Sequence, residues 1–254
     1  MKKHSFTLVE LLVVVGIIAL LAGLIIPAVG MAQTSARRTA CLSNQGQVMK
    51  IMRAYMNEGD RQFLPNWYSS SSNKYLWGQA LFNAGKLQND LTVARCSAII
   101  PTTDAKLESE SDSSLKETYG MIYSNHADAK GINFKSTKAL KHGTGSSAYM
   151  VAANQLALGG CCARLSSSDQ VVARSLMDFD ADGNGTDDNV GRPVLVHGDQ
   201  TNVFFLDGHA ESFTKDALHQ KRYFSKVTGA DAREAVKIAD SDKAKWILNP
   251  DEEE

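Results

Sequence analysis

An imbalance of charge is the first thing this chain of 254 residues lacks: Lys and Arg number 27, Asp and Glu 28, and the formal net charge is -1. No global basic field is available to draw it to nucleic acid, and nucleic acid is not expected among its partners. Cysteine is sparse. Cys41, Cys96, Cys161 and Cys162 do not make a disulfide framework by number alone in a chain this long. A Gly-rich phosphate loop, a nucleophile elbow and a paired Cys-x-x-Cys pattern are missing, and with them the usual sequence signs of nucleotide, serine-hydrolase and zinc-ribbon chemistry. No internal repeat is visible. There is, however, ample apolar content to bury the core of one well-filled domain or two small ones.

Charge is also missing locally. Between Ser5 and Ala32 the only charged side chain is Glu10, and Leu11 to Ile26 is almost unbroken Leu, Val, Ile, Ala and Gly. As a helix, Phe6 to Val29 spans roughly 36 Å, enough to cross a bilayer core of about 30 Å. Residues 6–29 therefore read as a transmembrane span. Lys2 and Lys3 precede it, which favours a cytoplasmic N-terminus and places the rest of the chain outside the cytoplasm, where disulfides are permitted. A secretory signal peptide is the competing reading. Its apolar centre would run about 7 to 15 residues and close with a small-x-small site, whereas this segment is longer and continues into polar, helix-like sequence. Glu10 also speaks against it, because a carboxylate inside an apolar span costs about 2.5 to 3.5 kcal/mol and is functional by default.

Beyond Pro27, residues 28–57 have few helix breakers and carry Ala40, Val48, Ile51, Met52 and Tyr55 at three- and four-residue spacings, the pattern of an amphipathic helix. Pro27 removes one backbone donor and should kink the helix, not end it. One long bent helix over 6–57 follows, its first half for lipid or a filament core and its second half for a globular head at 58–254.

The run Ser5-Phe6-Thr7-Leu8-Val9-Glu10 ahead of an apolar helix resembles the prepilin cleavage and methylation motif of type IV pilins and type II secretion pseudopilins. The resemblance implies a leader at 1–5, cleavage between Ser5 and Phe6 by a prepilin peptidase, methylation of the Phe6 amine, and retention of the helix. Ser5 stands where Gly is usual. Glu10 would pair with the N-terminal amine of a neighbouring subunit during assembly, a reason for a charge in that place. The stretch from Ala36 to Gln45, with Cys41-x-x-Asn44, and then Tyr55, Gly59, Leu64-Pro65 and Trp67, resembles the region after the span in large pseudopilin-like families. Those families tend to carry a second Cys on a following loop, frequently as Cys-Pro. Cys96 stands in a similar place with Ser97 after it, leaving a Cys41–Cys96 disulfide and two free thiols both open. The vicinal pair Cys161-Cys162 reads as buried thiols, with a strained disulfide or a metal site using outside ligands as alternatives.

Residues 69–73 and 102–114 are serine-rich or acidic and read as loops. From Asp178 to Asp188 carboxylates alternate with spacers. Asp178, Asp180 and Asp182 fit the first positions of an EF-hand-like calcium loop, and Asn184 can offer its backbone carbonyl. Asn189 stands where a bidentate Glu belongs, so Asp187 or Asp188 would complete the shell; weak calcium binding, at about 0.1 to 1 mM, is weighed against a solvated acidic turn. Next, 193–196 and 202–206 read as strands, with Asp207-Gly208 turning the second into 209–213 as an antiparallel hairpin. His197, followed after nine residues by Asp207-Gly208, resembles the His-x9-Asp-Gly signature of a C-terminal region in prepilin-processed proteins. Residues 231–245 alternate charge with Ala, Val and Ile at helical spacing and read as a short surface helix, followed by a docked Trp246.

The expected fold is α+β and pilin-like: a long N-terminal helix packed on an antiparallel sheet. The expected role is structural and not enzymatic: a subunit in the inner membrane, single-pass with its head extracytoplasmic, that joins other pilin-like subunits in a secretion pseudopilus or a pilus-like filament. One rival is a membrane-anchored extracytoplasmic binding protein that uses this route only for export. Another is an anchored metal-dependent hydrolase built on His197, Asp199, Asp207 and His209.

Overall fold

A computed structural model of the chain describes residues 7–58, 63–64, 76–87, 91–99, 118–122, 132–133, 139–142, 149–165, 171–173, 176–177, 190–218, 220–226 and 233–237. Helix α1 (Leu8–Glu58) is 51 residues long, about 75 Å at 1.5 Å per residue. It passes through Pro27 unbroken, as the helical sequence on both sides of that residue predicts. Two shorter helices follow, α2 (Trp77–Asn83) and α3 (Lys215–Leu218).

The described part of the head also holds fourteen short strands: β1 (Phe63–Leu64), β2 (Gly120–Ile122), β3 (Ile132–Asn133), β4 (Ala139–His142), β5 (Tyr149–Ala152), β6 (Leu156–Gly160), β7 (Cys162–Leu165), β8 (Val171–Ala173), β9 (Leu176–Met177), β10 (Val190–Pro193), β11 (Thr201–Phe205), β12 (Ala210–Phe213), β13 (Arg222–Lys226) and β14 (Arg233–Lys237). The main sheet runs β12-β11-β6-β2-β9-β10-β7-β8, with β13 beside β6 and β14 beside β13. Most pairings are antiparallel; β2–β9, β9–β10 and β6–β13 are parallel. This is the expected α+β architecture, a long helix followed by a mostly antiparallel sheet.

The centre of the head lies where α1 crosses β11 and β12. Every residue of β6 and β11 is buried, and two glycines let these strands approach. A Cβ on Gly160 would lie 2.1 Å from the Asn202 carbonyl oxygen, and one on Gly159 2.0 Å from that of Gly120. The buried face of α1 is Cys41, Gln45, Val48, Met49, Met52, Tyr55 and Met56. Val48, Met52 and Tyr55 are where helical spacing put them, whereas Ala40 is exposed and Ile51 only half-buried. The true stripe is rotated by one position at its N-terminal end, because a thiol and an amide, not an apolar side chain, face the head there. By contrast the first half of α1 is bare: Leu8 is 78 % exposed and Leu24 71 %.

Two assignments shift, one of a strand and one of a helix. The strand expected at 193–196 ends at Pro193, and Val194 continues only as far as donating its N–H to the Cys161 carbonyl. The surface helix expected over 231–245 is contradicted at 233–237, which is β14, paired antiparallel to β13 from Lys226↔Arg233 to Arg222↔Lys237. An alternation of charged and small apolar residues is weak information, and a neighbouring strand with open hydrogen-bonding groups overrides it. Trp246 lies outside the described residues.

Candidate functional site

Two places on α1 carry chemistry. At its start, Thr7 is the residue before the first helical turn, and Glu10 is the third residue within it. The Glu10 carboxylate accepts from the Thr7 N–H at 2.9 Å and from the Thr7 hydroxyl at 2.7 Å, while the Glu10 N–H donates to the Thr7 hydroxyl oxygen at 3.3 Å. This is a reciprocal capping box, which satisfies backbone donors that the first turn of a helix leaves open. In the single chain, then, Glu10 closes the end of its own helix, beside exposed apolar side chains. Ser5 and Phe6 lie outside the described residues.

The second place is buried at mid-length. Cys41 on α1, Cys96 just after the 3-10 turn Thr92–Ala94, Cys161 between β6 and β7, and His197 just before β11 converge so that their ligand atoms all lie within 4.8 Å of one another. Sγ of Cys41 is 3.3 Å from Sγ of Cys161, and His197 Nε2 is 3.4 Å from Sγ of Cys96 and 3.5 Å from Sγ of Cys161. Each of the four is at most 4 % exposed.

The surroundings aim donors at the sulfurs. Gln45, one turn beyond Cys41, directs Nε2 to Cys41 Sγ at 3.7 Å and Cys161 Sγ at 3.6 Å, and donates to the Asn202 carbonyl at 3.2 Å. Tyr119 points its hydroxyl at Cys41 Sγ, 3.4 Å away, and its own carbonyl accepts from the Trp77 indole at 3.0 Å. Asn44 donates to the Thr92 carbonyl at 3.2 Å, which holds the turn leading to Cys96 against the helix. Burial pushes the Cys41 thiol up, but hydrogen bonds from Cys161, Cys96, His197 and Tyr119 outweigh it and bring that thiol well below its usual range. Burial and the neighbouring thiols hold Cys161 well above it. A hydrogen bond with Cys161 pulls Cys96 down, yet the Cys41 sulfur and burial more than reverse that and leave it raised.

These positions bear on several expectations. Of the two alternatives left open for Cys41 and Cys96, the structure has the free thiols, and Cys41 Sγ lies against that of Cys161. Cys161 and Cys162 are both buried, as expected, but Cys161 keeps company with thiols and an imidazole. The His197 backbone N–H donates to the Gln200 carbonyl at 3.2 Å, while its ring nitrogen Nε2 lies against the sulfurs. Gly198 and Asp199 have φ of 67° and 54°, the paired positive values of a type I′ turn.

Asp207 and His209 take no part in this cluster. Among the described residues no second group of three or more His, Cys, Asp or Glu side chains converges to ligand distance, so the set of His197, Asp199, Asp207 and His209 is not assembled. Asp207-Gly208 sits in the expected hairpin: the Gly208 N–H donates to the Phe205 carbonyl, the Phe205 N–H to the His209 carbonyl, and Gly208 has φ of 92°. His209 stacks on Phe205 with ring centroids 4.4 Å apart and hydrogen-bonds Asp207. Arg53 of α1 donates to the Leu206 carbonyl at 2.9 Å, docking the turn on the helix. The calcium-loop residues Asp178, Asp180, Asp182, Asn184, Asp187 and Asp188 lie outside the described residues.

Residues 1–26 match the family model of the prokaryotic N-terminal methylation motif. No curated protein and no solved structure matches the chain. The motif points to a prepilin-processed, type IV pilin-like structural protein, and the apolar helix behind it fits membrane anchoring.

Proposed function

We propose that this chain, with an N-terminal methylation motif running into a helix long and apolar enough to cross a membrane, is a pseudopilin-like subunit of a filament. A prepilin peptidase cuts between Ser5 and Phe6, Phe6 is methylated, and the subunit waits in the inner membrane with its head outside the cytoplasm. Polymerisation with other pilin-like subunits, as in a type II secretion pseudopilus or a related pilus, then buries the helix. The observation that carries this reading is the bare first half of α1. A run of exposed apolar side chains this long has no place in water, and a bilayer or a bundle of like helices provides the cover.

The capping box adds a mechanism. A carboxylate already hydrogen-bonded to its own N-terminal turn is held at the end of the helix, where a neighbour's amine can reach it; the charge need not be carried deeper into lipid. Intact mass and N-terminal sequencing of the protein from membranes of its native host test the reading. A methylated Phe6 start with the helix retained is expected, and a start near Gly30 overturns it.

A further inference from the structure

We propose that Cys41, Cys96, Cys161 and His197 form a closed structural zinc site that ties the filament helix to the head. Such a site does not depend on how the N-terminus is processed. Zinc bound by sulfur at about 2.3 Å and by imidazole nitrogen at about 2.0 to 2.1 Å in a tetrahedron keeps its ligand atoms roughly 3.5 to 3.8 Å apart. The observed separations of 3.3, 3.4 and 3.5 Å are near that, and all the ligand atoms fall within 4.8 Å of one another.

Three sulfurs and one imidazole are a structural zinc set, and a soft one that disfavours calcium or magnesium. All four ligands come from protein and are buried, so no position is left for water or substrate. The role is therefore to hold, not to catalyse.

Ordinary burial of cysteine as a small apolar side chain does not bring three thiols from separate segments onto one imidazole. Nor does it place an amide and a phenol with their donors toward sulfur. Such donors suit thiolates bound to metal, whose remaining charge they partly neutralise. A single disulfide would use two of the four groups and strand the rest. The His197 ring turns its Nε2 toward the sulfurs of Cys96 and Cys161; among the described residues its Nδ1 has no hydrogen-bond partner.

The site bridges distant parts of the chain, with Cys41 and Cys161 120 positions apart and Cys96 and His197 101. One ion would thus close loops that reach from α1 to both the β6–β7 connection and the turn before β11. It would sit at the join through which any load on the helix reaches the sheet.

Metal analysis of the full chain, purified in detergent from membranes without affinity metals and dialysed against a weak chelator, tests this. About one zinc per chain is expected, falling to near zero in Cys161→Ser and His197→Gln and unchanged in Cys162→Ser. Should those ligand variants fail to fold, cobalt exchange into the wild-type protein decides: intense visible bands of tetrahedral cobalt with sulfur-to-metal charge transfer are expected. Metal-free protein with reactive thiols overturns the proposal, as does a Cys41–Cys161 disulfide found by mass mapping. Zinc that persists in both ligand variants overturns it too, since the metal would then lie elsewhere.

Discussion

Glu10 closes its own helix and, in the proposed assembly, would also meet a neighbour's amine; substitutions can separate the two. Gln accepts the same N–H and hydroxyl hydrogen bonds as Glu at this place in a capping box, but carries no charge. Glu10→Gln is expected to leave the subunit folded and in the membrane while filament yield, measured by shearing and sedimentation, drops sharply. Thr7→Ala keeps the charge and loses the cap, costing about 1 kcal/mol of local helix stability, and filaments should persist. Equal loss in both variants would make the cap, not the charge, the requirement. Gly208 shows a different constraint. At φ of 92°, with Arg53 3.0 Å from where a Cβ would stand, Gly208→Ala is expected to destabilise the head by about 1 to 2 kcal/mol in chemical denaturation. Asp207-Gly208 announced this turn in the sequence; that Arg53 seals it did not show, because nothing local links an arginine on a helix to a turn so far along the chain.

Among the elements, α1 was the easiest to read and β6 the hardest. The boundaries of the helix follow from the absence of charge and of breakers, and its second half from three- and four-residue spacing. Leu156–Gly160 has no alternation, since both of its faces are buried, and a continuous small and apolar run does not distinguish strand from helix. Its glycines explain the pattern: β6 is squeezed between β2 and β11. Gly160→Ala would drive a methyl into the Asn202 carbonyl, which also accepts from Gln45 and from the Cys161 N–H. About 3 kcal/mol of destabilisation is expected, together with weakened zinc retention; an unaltered melting curve would show that the strands separate without cost. The helical reading of Arg233–Lys237 failed for a related reason, since pairing with β13 is a property of the neighbour and not of those residues.

For the whole molecule, pH should distinguish metal-bound from metal-free protein. Without metal, Cys96 and Cys161 are held as neutral thiols above their ordinary value near 9.0. The unfolded chain ionises there first, so their contribution is complete below pH 9.0 and is lost as pH rises through that range. The depressed Cys41 thiol has the opposite sign, its contribution being lost as pH falls through its folded-state value. With zinc bound, the dominant event is proton competition for thiolate and imidazole, so stability should fall on the acid side as metal is released, near pH 5 to 6. Thermal melts with and without chelator, from acid to alkaline pH, should cross in this way; identical curves would mean that no ion contributes.

What the chain alone determined is its local character: a helix long and apolar enough to cross a membrane, because its first half carries almost no charge; its continuation past that run, because spacing and few breakers permit nothing as favourable; and a hairpin at Asp207-Gly208, because few residues accept that backbone. The tertiary structure alone decided which cysteines meet. Cys41, Cys96, Cys161 and His197 show no ligand spacing in the sequence, being brought together by the packing of α1 on the sheet and by the turns at either end of β6 and β11. Convergence of that kind depends on the path of the chain in space, and local residue preferences do not record it.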